Sequence, residues 1–219
     1  MSCFLIVVVI WVFSVCLHEY GHAIVAYHGG DHTVEEKGYL SMNPVYYAHP
    51  VTSFLLPMLF MVVGGIGLPG GAVYINRHLL RSRGWETAVS LAGPAMNLII
   101  AIIITLLLRF FLIPYYPTHI ATEALAFALV LQFSAILFNL IPIPPLDGFQ
   151  AIEPWLSQQW REHLLPMANY GMFVLFALFW YVEPFYRAFW STVRGIISFL
   201  GVDPGLAAAG FHAFRFWQQ

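Results

Sequence analysis

The sequence predicts an all-α protein that crosses the membrane several times, and three observations carry that prediction. Of its 219 residues, 60% are apolar and only 9% charged, whereas a soluble domain is about 25% charged. The apolar residues gather in runs at 4–17, 51–63, 95–113, 124–141 and 172–182. Several of these, with their flanks, reach the roughly 20 residues that a helix needs to span a hydrocarbon core of about 30 Å. The 9 basic and 11 acidic residues nearly balance, which leaves no polyanion-binding footprint and excludes nucleic acid as a partner.

The first element is a helix over 3–26. It has no basic flank and no small-x-small cleavage site, so it reads as a retained span and not a signal peptide. Cys3 and Cys16 both lie in it and fit neither a disulfide framework nor a zinc knuckle. Near its C-terminal end stands HEYGH, residues 18–22. His18 and His22 are four apart and share one helix face, so two imidazoles can converge on one ion, with Glu19 at the flank. HExxH is the pattern in which two histidines hold zinc and the glutamate handles the attacking water. Three ionisable residues inside a membrane segment are costly unless they are paired, liganded or face a wet cavity. Gly21 predicts a close neighbouring backbone, and Gly29-Gly30 ends the helix.

The loop over 28–50 can form a short hairpin with an edge for pairing an unwound peptide. Helices follow over 84–109 and from residue 120 to 141, separated by an interfacial turn at 113–119. In the first of these, SLAGPAMN at 90–97 sets Gly93 for close approach, Pro94 for a loosened turn and Asn97 as a polar group at membrane depth. Glu123 reads as a residue favouring the positive end of its helix.

NLIPIPPLDGFQ, residues 139–150, breaks the pattern. Pro142, Pro144 and Pro145 remove amide donors and predict an extended arm, with Gly148 letting the chain turn. Irregular backbone at membrane depth must be buried in protein or line a cavity, which places Asp147 where a ligand or cavity group belongs. Residues 148–165 read as one amphipathic surface helix with Trp155 and Trp160 as interface anchors. A short crossing follows over 166–182 and is broken by Glu183-Pro184. Residues 185–200 lie in the interface or pack as a sixth helix, and an aromatic tail stays at the membrane.

HEYGH, SLAGPAMN and NLIPIPPLDG together resemble the three motif helices of the site-2 protease family, peptidase family M50, the intramembrane zinc metalloproteases. The resemblance covers about residues 11–150 and is strongest for the compact prokaryotic branch without PDZ or CBS domains. It implies one zinc ion held by His18, His22 and Asp147, with Glu19 as base. It also implies Asn97 and Asn139 as polar groups near the site, where Asn139 could hold an oxyanion or an extended substrate. The branch's His-Pro recurs as His49-Pro50, a candidate site-lining position, but Thr52 to Phe54 replace its later His and Asp region.

If His22 and Asp147 share one ion, both helix ends must emerge on the same side. The segment 51–68 is then expected to dip in and return, or to lie along the surface. Lys37, Arg77, Arg81, Arg83 and Arg161 would fall on the metal-bearing side and Arg109 opposite, which makes that side cytoplasmic. The expected protein is a single domain over 1–219, with a motif core at about 3–150 and C-terminal helices at about 151–219. It would sit in a bacterial or archaeal cell membrane and cleave a single-span or other membrane protein, with room for a membrane regulator or an oligomer. The alternative is a non-catalytic metal-binding, transport or regulatory protein on the same scaffold.

Overall fold

The computed structural model describes residues 1–41, 43 and 73–218. His49, the proposed re-entrant segment 51–68 and the end of the proposed hairpin lie outside those residues. Among the described residues three helices are long and apolar enough to cross a membrane. They are α1 (Ser2–Gly29), α3 (Arg83–Leu107, continuing to Tyr115) and α4 (Ile120–Asn139). Leu5, Val9 and Phe13 on α1 and Ile99, Ile102, Ile103 and Leu106 on α3 remain exposed. A helix that is apolar on its outer face as well as its inner one belongs in lipid.

α1 stops where the glycine pair predicts. Gly30 has φ of 119°, in the left-handed region, and its N–H returns to the Ala26 and Tyr27 carbonyls. The next residues do not start a hairpin. Thr33–Glu36 form a helical turn, α2, that buries Val34 against Ala26 and Val89. Asp31, just before this turn, accepts from the Thr33 amide and hydroxyl, a local bond that competes with strand pairing. No strand occurs among the described residues.

α3 starts beside the end of α1. The Arg81 amide donates to the Gly29 carbonyl at 2.9 Å, and Leu80 and Trp85 pack over Gly29. α3 therefore runs back across the membrane, and α4 returns to the end that carries His18 and His22. α3 overshoots the expected stop near residue 109, passing through a widened π turn at Leu108–Leu112 to Ile113–Tyr115. Pro114 lacks an N–H for the preceding turn, and such loss loosens a helix without ending it. His119 caps α4 by accepting from the Ala121 amide.

The proline arm is not extended. α4 ends at Asn139, and residues 140–146 fold into tight turns in which Ile143 donates to Ile141 and Leu146 to Ile143. Among the described residues no strand lies beside the arm, and its remaining amides are satisfied locally. Residues 148–165 also form two short helices where one was expected. These are α5 (Asp147–Ile152) and α6 (Gln158–Leu164), separated by a turn at Glu153–Trp155 containing Pro154. Trp155 and Trp160 are exposed, as interface anchors should be.

Behind the core lie α7 (Ala168–Tyr181), α8 (Glu183–Phe199) and α9 (Pro204–Phe214). The chain breaks at Val182, and Glu183-Pro184 then begins α8, since proline fits a first helical turn. α8 packs as a helix, burying Phe189, Val193 and Ile197 against the core. α9, capped by Asp203, inserts Phe214 between Phe4 and Phe127.

Candidate metal centre

The register of α1 brings Ser14, His18 and His22 onto one face, each a turn apart. All three are buried, as is Glu19. α3 crosses that face at its small residues. A Cβ on Gly21 would lie 2.7 Å from Met96 and 2.9 Å from the Ala92 carbonyl, and one on Gly93 would strike the rings of His18 and His22. These two glycines set how closely the helices approach, as Gly21 and Gly93 predict in sequence. The turn before Pro94 contributes the Val89 carbonyl, 2.7 Å from His22 Nδ1. That bond places the ring proton on Nδ1 and leaves the Nε2 lone pair free for an ion.

α4 and the proline arm deliver the third group. Gly148 fits against the Leu140 and Ile141 carbonyls, where any side chain would collide, and this contact turns Asp147 back toward α1. The Asp147 carboxylate lies 3.2 Å from His18 Nε2 and 3.5 Å from His22 Nε2. The two imidazole nitrogens are 3.1 Å apart. Zinc bonds of about 2.0–2.1 Å set tetrahedral donor-to-donor edges of about 3.3 Å. The two ring nitrogens stand near that spacing, His18 Nε2 faces Asp147 Oδ2 and His22 Nε2 faces Asp147 Oδ1, and one donor atom from each residue lies within 4.8 Å of the others. The donor set of two imidazoles and a carboxylate suits a catalytic centre with a fourth position open. Among the described residues this is the group of His, Cys, Asp and Glu side chains able to hold an ion.

Glu19 is 4% exposed, and one carboxylate oxygen accepts from the Val73 amide at 3.0 Å. Val73 opens a segment fixed by two further bonds: Asn76 N–H to Asp31 at 2.7 Å, and Lys37 to the Tyr74 carbonyl at 3.2 Å. Residues 73–76 are thus tied to α1 and to the segment 31–37 that follows it. Arg77 then reaches Glu153 at 2.9 Å and also Gln150, locking this segment to α5.

Asn97 and Asn139, 3% and 2% exposed, both line a pocket beside His18 and Glu19. Asn139 Nδ2 has no hydrogen-bond partner among the described residues. Pro142, Pro144 and Pro145 shape the arm, with the Pro144 carbonyl packed so tightly on Gly171 of α7 that no side chain fits there. Four contributors were missed from sequence: Ser14, Gln132, Asp31 and Val73. Ser14 and Gln132 carried a legible signal, being polar residues inside apolar runs, and Ser14 also shares the heptad-like face of His18. Val73 acts through its backbone, and no side-chain pattern announces that.

Comparison with known proteins agrees with this centre. The chain is 42% identical over 216 residues, 98% of its length, to Rip2 of Mycolicibacterium smegmatis, named a zinc metalloprotease, and covers 81% of that protein. The chain belongs to the site-2 protease family. A Rip2 of Mycobacterium tuberculosis with the same designation is 41% identical over the same span. YwhC of Bacillus subtilis, also named a zinc metalloprotease, is 32% identical over 183 residues, 78% of each chain. No family model matches the chain, and no solved structure matches it. As a site-2 protease the chain is a multi-pass helical membrane protein, consistent with its three spanning helices.

Proposed function

We propose that this chain is a zinc-dependent intramembrane endopeptidase in which His18, His22 and Asp147 hold one zinc ion and Glu19 is the general base. The observation that carries the reading is the buried cluster of His18, His22 and Asp147, whose ligand atoms lie within 4.8 Å of one another although Asp147 is 125 or more positions from the histidines in sequence. Zinc held there would polarise a water and lower its pKa.

The protein groups supply the rest. Val73 holds one oxygen of Glu19, which leaves the other to take a proton from water and later give it to the leaving amine. Asn139, whose amide N–H pair has no partner among the described residues, would donate to the carbonyl oxygen of an unwound substrate as negative charge develops. The burial of His18, Glu19, His22 and Asp147 excludes bulk water, which strengthens each of these interactions. Asn97 lines the adjoining pocket and fixes its polar wall. His49 is proposed as a further site-lining residue from the segment outside the described range.

The substrate class is a membrane-embedded protein, single-span or otherwise, entering with its helix locally unwound. The metal-bearing end is proposed to face the cytoplasm of a bacterial or archaeal cell. Arg77 and Arg161 both meet Glu153 at that end, and Lys37 meets Tyr74. Arg109 sits at the other end, against Leu200. The whole chain is read as one membrane-embedded domain. A non-catalytic metal protein on this scaffold would not need Glu19. The test is E19Q: it is expected to keep zinc bound at one per chain while cleavage of a single-span substrate falls at least about 100-fold. Full cleavage by E19Q would contradict the assignment.

A further inference from the structure

The two histidines differ in what supports them. His22 donates its Nδ1 proton to the Val89 carbonyl at 2.7 Å. His18 Nδ1 is buried with no hydrogen-bond partner among the described residues. Yet His18 turns its Nε2 toward His22 and Asp147, so an ion bound there needs the Nε2 lone pair and puts the ring proton on Nδ1. A buried N–H without an acceptor is rare in folded proteins, and a ligating histidine ordinarily gives that proton to a carboxylate, a carbonyl or a water.

The pocket beside His18 has the chemistry to supply the acceptor. Ser14, Asn97 and Gln132 line it together with His18, and each of the three is 4% exposed or less. Ser14 Oγ lies 2.9 Å from Gln132 Oε1 and 3.3 Å from Asn97 Oδ1. One hydroxyl proton cannot serve both oxygens, so one amide must present its NH2 to Ser14. The trio therefore forms a connected polar wall in a pocket that Glu19 and Asn139 also line. None of its recorded bonds reaches His18 directly. A small polar cavity with several convergent donors and acceptors is the setting that retains an internal water.

We propose that this pocket holds a structural water that accepts from His18 Nδ1–H and donates to the wall formed by Ser14, Gln132 and Asn97. Ser14 and Gln132 are then positioning residues: they act on the metal through the water and the His18 ring. The inference rests on the zinc reading above, and it adds a support that the HExxH motif does not contain.

The experiment compares S14T with S14V, two side chains of nearly equal volume of which only threonine keeps the hydroxyl. Zinc dissociation constants of the full-length chain in detergent are measured by chelator competition, alongside wild type and Q132L. S14T is expected within about twofold of wild type, and S14V and Q132L about 10-fold weaker or more. Thermal melting of the metal-free proteins checks that the helices are intact. If S14V does not fold, Q132L against Q132N decides the question by the same comparison. Equal zinc affinity for S14T and S14V, or for Q132L and wild type, overturns the proposal. A folded wild-type chain that binds no zinc overturns the zinc reading itself, and that outcome is distinct from either of the others.

Discussion

At the end that carries the candidate metal centre, α1, α3 and α5 bury His18, Glu19, His22, Asn97 and Asp147, while the fully buried residues of α8 and α9 are apolar side chains and one glycine, where α9 meets α4. Both regions pack helices closely, but on different terms. Around the metal centre each polar group needs a particular partner at a particular distance, because a buried polar group left unpaired at membrane depth is costly. Along α8 and α9 the contacts are aromatic and aliphatic, such as Phe179 on Phe189 and Phe127 on Phe211, where similar volumes can substitute at modest cost. Sensitivity to substitution should therefore be steep at the first region and shallow at the second.

The steepest expected effect comes from G93V. Its side chain would enter the space of both histidine rings, so zinc content should fall to near zero and activity at least about 100-fold, as read by metal analysis and a cleavage assay. Near-normal metal content in G93V would mean that α3 does not set the ring positions. V73P comes next. Proline removes the amide that holds Glu19, and cleavage should slow about 10-fold while zinc stays bound, so turnover and metal content should separate. D203A marks the shallow end. It removes the cap of α9 and should cost about 1 kcal/mol of stability, seen as a lower melting temperature with unchanged metal affinity.

The same contrast explains what was legible in the sequence. His18, Glu19, His22, Asn97, Asn139 and Asp147 stand out because polar residues in apolar runs need a reason to be there. The glycines at 21 and 93 stand out because a helix interior disfavours them. Of these, His18, His22 and Asp147 come within reach of one ion. The helical turn at Thr33–Glu36 was not legible, and a hairpin over 28–50 was expected there instead. Its alternation was weak, and Asp31 gave the backbone a competing local bond. The proline arm was misjudged as extended because proline forbids a helix without choosing between a strand and successive tight turns, a choice made by whether a partner strand exists. The break inside 148–165 was hidden because periodicity reports which face is apolar and not whether the axis is continuous, although Pro154 marked the place. Ser14 and Gln132 were readable by the rule that found Asn97, and the backbone role of Val73 by no sequence rule.

The central claim is that residues far apart in the chain share one ion, and D147A tests it most directly. Wild type and D147A would be purified in detergent, dialysed against a mild chelator and assayed for zinc. Wild type is predicted to retain about one equivalent and D147A less than about a tenth of one, because a catalytic site held by two protein ligands falls short of the usual three. If D147A kept a full equivalent with unchanged affinity, Asp147 would not be a ligand and the shared centre would be wrong.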